Sequence, residues 1–160
     1  MTIDPGTLYL GVSVFSGRSL YTFFLKNLST KGSPANRLLK IRAIFLSLIR
    51  KYDPRVLVIE KPYEAWKKQS PYLQKIIEEI KRLSQKEGIR VIEFSPKTIR
   101  KVLCQDERAT REDMAQAIGG LYPELKEYLN RNRKHKNKYW RKGASLALGI
   151  CYLKSRIIAK

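Results

Sequence analysis

The feature that most constrains this chain is the run Val56-Leu57-Val58-Ile59, apolar at every position and closed by Glu60. A strand apolar on both sides belongs in the middle of a sheet that is covered on both faces. The neighbouring segments supply the covers. Ser33-Pro34 opens a helix, Ser as N-cap and Pro as first helical residue, and Leu38, Ile41, Phe45, Leu48 and Ile49 recur at helical spacing until Asp53-Pro54. Ser70-Pro71 repeats that opening, Leu73, Ile76, Ile77, Ile80 and Leu83 repeat the spacing, and Gly88 is the stop. Ahead of the run, the short strand Thr2–Asp4 and the strands Leu8–Phe15 and Ser19–Lys26 read as a meander, with a turn at Ser16-Gly17-Arg18. Beyond it, Ile89–Phe94 is a fifth strand and Ser95-Pro96 starts a short helix through Leu103. Thr110 and Asp113 resemble a capping box, with Asp where Glu or Gln is usual, and Pro123–Leu129 gives a further helical turn or two. A last helix spans about Tyr139 to Ile158 with Leu146, Ile150 and Leu153 inward. The order predicts an α/β fold: a five-stranded mixed sheet flanked by helices on both faces, in a single domain over residues 1–160.

Charge narrows the partners. The chain has 33 Lys and Arg against 14 Asp and Glu, a formal net charge of +19. Such a field attracts polyanions, chiefly DNA or RNA. A solubilising surface or a basic ribosomal-type protein is the plainer alternative. No apolar stretch reaches the roughly 20 residues that span a bilayer, and no signal-peptide pattern opens the chain. Cys104 and Cys151 make no disulfide framework, and with His135 as the single histidine they make no ordinary zinc site. A reduced, cytoplasmic protein is the expectation.

Two carboxylates stand where strands run out: Asp4 in Ile3-Asp4-Pro5-Gly6-Thr7, and Glu60 ahead of Lys61-Pro62-Tyr63. A buried acid is costly unless it is paired or holds a metal. On adjacent strands, about 4.8 Å apart, the two can share Mg²⁺, which takes oxygen ligands. The plainer alternative pairs each with a nearby cation such as Lys61. Candidates for a further ligand are Glu112, Asp113, Asp106, Glu107 and His135. Glu112 and Asp113 serve equally as caps at a helix start, and His135 as a solvated loop residue. Basic and aromatic residues interleave at Lys61, Tyr63, Trp66, Lys67 and Lys68, and again at Arg131, Arg133, Lys134, Lys136, Lys138, Tyr139, Trp140, Arg141 and Lys142. Aromatic faces stack on unpaired bases while Lys and Arg take phosphates. Arg111 at a helix start, with Lys101 and Arg100 one helix earlier, extends the same track. Core packing for the tryptophans and a solvated face for the cations are the alternatives.

Asp4-Pro5-Gly6-Thr7 with Gly11 resembles the first motif of the RuvC Holliday-junction resolvases, within the RNase H-like superfamily. Val58-Ile59-Glu60 followed by Tyr63 resembles their second motif. The stretch Ile92–Pro96, the helix to Leu103, the segment Arg111–Leu121 and the closing helix Ala144–Cys151 are similar to the family's remaining parts, so the resemblance covers nearly the whole chain. It implies an RNase H-like fold and a homodimer that binds four-way DNA junctions and cuts them with Mg²⁺ or Mn²⁺, in recombination and repair. It implies that Asp4 and Glu60 are the catalytic metal ligands and that Tyr63 works near the branch point. The last motif departs: where the family places acids, or a His and an acid, this chain has Arg141 and Ala144, and a guanidinium there can take the place of one metal by offsetting charge on a phosphate. The departure keeps a second expectation open, a non-catalytic junction or structured nucleic-acid binder. A third is an RNase H-like nuclease on RNA-containing substrates, for which Asp106-Glu107-Arg108 is a faint echo of the YqgF branch.

Overall fold

The computed structural model describes residues 1–29, 33–61, 70–131 and 140–158. Five strands form one sheet: β1 (Thr2–Pro5), β2 (Tyr9–Ser16), β3 (Ser19–Asn27), β4 (Val56–Glu60) and β5 (Arg90–Phe94). Their order across the sheet is β3-β2-β1-β4-β5. The first three pair antiparallel, and β1, β4 and β5 run parallel. This is the mixed α/β sheet that the sequence predicts. The helices are α1 (Pro34–Tyr52), α2 (Pro71–Lys86), α3 (Pro96–Cys104), α4 (Arg111–Leu121), α5 (Lys126–Arg131) and α6 (Trp140–Ile158), with a 3₁₀ turn at Pro123–Leu125.

The Ser-Pro openings work as the sequence predicts. The Ser33, Ser70 and Ser95 hydroxyls accept from the amides of Asn36, Leu73 and Thr98. Each removes one of the unpaired donors at a helix start. α1 stops at Asp53, whose backbone turns left-handed at φ 41°. Strand ends shift by a residue or so. β1 runs on through Pro5, which pairs with Leu10, and β5 starts at Arg90 rather than Ile89.

Alternation along the strands sorts their side chains into two cores. Ile3, Leu10, Val12, Leu57 and Ile59 face α1 and α2, burying Ile41, Phe45, Ile76 and Ile80. Val58, on the opposite side, packs with Ile99, Ile118, Leu146 and Ile150 of α3, α4 and α6. This division is what places a site: residues 2 and 4 of β1 and residues 58 and 60 of β4 look toward the α3/α4/α6 side. Among the described residues, no helix is long and apolar enough to cross a membrane.

Candidate metal and nucleic-acid site

β1 and β4 are parallel neighbours, with Thr2 opposite Val58 and Ile3 opposite Ile59. The next step in that register sets Asp4 beside Glu60 on the same face. Burial raises the Asp4 carboxyl to about 6; the Arg141 guanidinium, its hydrogen bond and the Arg111 charge work against that rise. Burial raises Glu60 further, to about 7, helped by the Asp4 charge and opposed by Arg100, Arg141 and Arg111. Two acids that burial pushes toward the neutral form, Glu60 further by the Asp4 charge, and that arginines surround, are a site in want of positive charge.

Arg141 meets part of that want. Its Nη1 donates to Asp4 Oδ2 at 3.2 Å and to the Pro5 carbonyl at 2.8 Å. The plainer alternative paired the acids with a cation such as Lys61, but Lys61 is exposed, and its amide continues the β4–β5 ladder by donating to the Phe94 carbonyl at 2.8 Å. Glycines make the arrangement possible. A Cβ on Gly6 would overlap the Arg141 guanidinium, and a Cβ on Gly11 would overlap the Arg141 carbonyl. The helix is further fixed by hydroxyls. Thr2 Oγ1 donates to the Ser145 carbonyl at 2.6 Å, and the Ser13 and Ser145 hydroxyls share a hydrogen bond of 2.7 Å. All three residues are buried. This polar clasp was not anticipated. Its one signal is that Thr2 and Ser13 are polar residues beside the apolar Ile3, Val12 and Val14 of their strands.

Beside Glu60 lies a cleft of about 290 Å³ lined by Arg100, Arg111, Lys97, Ile99, Met114 and Trp140. Trp140, the first residue of α6, is half-buried against the second core, so it is both core and cleft wall. Lys101 and Arg100 share α3 but not a direction. Successive helical residues point about 100° apart. Arg100 follows the buried Ile99 toward the cleft, whereas Lys101 points out and pairs with Glu107 at 3.4 Å. Lys142 sits with its ammonium 5.2 Å from the Phe23 ring centre.

Asp113 is tied elsewhere. Its carboxylate accepts from the Thr110 amide and hydroxyl, each at 2.7 Å, and its own amide donates back to the hydroxyl at 3.2 Å. Glu112 is exposed on the same first turn of α4. Among the described residues no cluster of three or more His, Cys, Asp or Glu forms. Asp4 and Glu60 are therefore the acids brought together. Tyr63, Trp66, Lys67, Lys68, Arg133, Lys134, His135, Lys136 and Lys138 lie outside the described residues, as does the side chain of Arg131.

A mixed five-stranded sheet in this order, with helices on both faces, is the fold of the RNase H-like class. Within that class, the chain has the RuvC fold. Thermus thermophilus RuvC superposes with a TM-score of 0.73 at 16% identity, over 98% of this chain and 94% of that one. T. thermophilus RuvC in complex with Holliday junction substrate gives 0.74 at 16% identity, over 98% and 93%. The yeast mitochondrial Holliday junction resolvase gives 0.69 at 15% identity, over 97% of this chain and 77% of that one. No family model and no curated protein matches by sequence.

Proposed function

We propose that this chain is a metal-dependent endonuclease of branched DNA, a junction resolvase acting in recombination and repair as a cytoplasmic homodimer of single-domain subunits. The observation that carries the reading is the Asp4–Glu60 pair, side by side on parallel strands and opening on an arginine-lined cleft. A protein that only binds a polyanion gains nothing from two carboxylates facing it, since they repel it. The fold is shared with resolvases, one of them seen with a Holliday junction substrate.

The donor set fits one divalent ion. Two hard carboxylates whose ionisation is opposed by burial favour a small cation that keeps several of its own waters. Asp4 and Glu60 would hold Mg²⁺ or Mn²⁺, which when bound lowers the pKa of water and offsets charge on the phosphate. The chain's own groups do the rest. Arg141 fixes the Asp4 carboxylate through Oδ2. Arg100 and Arg111 take flanking phosphates, and Trp140 offers a face to a base unstacked at the branch.

The test is cleavage of a synthetic four-way junction with and without Mg²⁺ or Mn²⁺, beside linear duplex and RNA–DNA hybrid. Metal-dependent cutting of the junction, lost in Asp4→Asn with junction binding retained, is the expected result. Cutting that survives Asp4→Asn overturns the catalytic assignment. The Arg141 contact on Asp4 favours a second reading, a junction binder without catalysis. Tight binding with no cutting under any metal would select it, and cleavage of the hybrid instead would select an RNA-containing substrate.

A further inference from the structure

We infer that the Arg141 guanidinium takes the place of a second cation beside Asp4, so that this chain binds a single divalent ion. The inference rests on the reading that Asp4 and Glu60 hold a divalent ion, and it concerns how many they hold.

Arg141 is seated in the site. Its Nη1 bonds both Asp4 Oδ2 and the Pro5 carbonyl, and its side chain is 28% exposed. The absent Cβ of Gly6 is the space the guanidinium fills, and the absent Cβ of Gly11 lets the Arg141 backbone rest on β2. Ser145, one turn on, is bonded to both Thr2 and Ser13, so the helix cannot slide without breaking buried hydrogen bonds. An arginine held at its backbone, its stem and its head is a fixed charge, and a guanidinium does not lose its proton at any working pH.

Charge balance gives the count. Asp4 and Glu60 supply two negative charges, and no third acid joins them among the described residues. Arg141 and one divalent ion already bring three positive charges, with Arg100 and Arg111 close enough to act on Glu60. A second divalent ion would raise the excess to three, inside a buried site where repulsion is weakly screened. A phosphate entering the site instead meets a planar donor fork whose geometry suits its oxygens. In two-ion catalysis the second cation offsets charge on the departing oxygen. A guanidinium bonded to Asp4 would supply positive charge there without needing ligands.

The experiment is a Mn²⁺ titration of the full-length chain, read by electron paramagnetic resonance of the free ion. Asp4→Asn serves as the blank for ions bound elsewhere, and far-UV circular dichroism checks folding. The wild-type chain is expected to bind one Mn²⁺ above the blank. Arg141→Asp should bind two. Arg141→Gln should keep one ion while its junction-cleavage kcat at saturating Mn²⁺ falls about 10- to 100-fold, and Arg141→Lys should recover part of the loss. If Arg141→Asp does not fold, the Gln and Lys variants carry the test. Two ions bound to the wild-type chain, or an Arg141→Gln variant that cuts like wild type, overturns the inference and leaves the nuclease reading standing. No ion above the blank, with no cutting, overturns both.

Discussion

Asp4 and Glu60 meet two opposed demands. The proposed metal binding needs their charge, and their burial resists it. Glu60 binds its proton more tightly folded than unfolded, its pKa rising from 4.5 to about 7. Its ionisation therefore costs no stability below about pH 4.5, costs progressively more as pH rises toward 7, and costs a constant amount above that. Glu60→Gln should accordingly be more stable than wild type at pH 8 by about 1–3 kcal/mol, and no more stable at pH 4, as read by urea unfolding at both pH values. A variant without that pH-dependent gain would show that the carboxylate is well solvated. The acids themselves were legible from the sequence, because each ends an apolar strand. That Arg141 can take the place of one metal was legible too, because it stands where the resemblance expects an acid; its bond to Asp4 was not. Lys61 is adjacent to Glu60 along the chain, but Arg141, 137 residues from Asp4, is the one bonded to it.

Among the elements, α6 and the α1–α2 pair show how side chains set positions. α6 rests on β1 and β2 through Gly11 and the Thr2–Ser13–Ser145 hydroxyls. Gly11→Ala would place a methyl against the Arg141 carbonyl, a backbone obstacle with no rotamer to yield. It should cost about 1–3 kcal/mol. Junction cleavage should fall by more than stability alone explains, because it shifts Arg141 and Asp4 relative to each other. Thermal unfolding together with cleavage kinetics of the folded fraction separates the two effects. On the other face, Glu79 of α2 accepts from Arg42 of α1 at 2.7 Å and from Arg82 at 2.9 Å. The Arg82 hydrogen bond is the largest cause that holds Glu79 down at about 2. The stabilisation is complete above the ordinary value of 4.5 and is lost as pH falls toward 2. Glu79→Gln should thus be less stable than wild type by about 1–2 kcal/mol at pH 7 and converge with it near pH 2. Parallel unfolding curves across that range would remove the ion pairs from the account. The helices were legible from the repeated Ser-Pro openings and the apolar spacing. The Glu79 bridge was not, because periodicity says which face is buried but not which polar residue at its edge meets another helix.

For the whole molecule the governing quantity is the +19 charge. If about four to six phosphates are neutralised, raising KCl from 50 to 200 mM should weaken junction binding by about 10²–10³-fold. A filter-binding series that is flat in salt would contradict this. Arg100→Ala should reduce the log–log slope by about one, while Lys101→Ala, already paired with Glu107, should change it less.

The layered α/β architecture, the strand count, the polyanion field and the two acids can all be read along the chain. Each is a local signal: an apolar run, a helical period, a capping pair, a composition. Folding in three dimensions sets β1 directly beside β4, bonds Arg141 to Asp4, and turns Arg100 rather than Lys101 to the cleft. Those facts depend on which residues distant along the chain share one side of a sheet, and pairing across a fold is settled by packing, which no local period encodes.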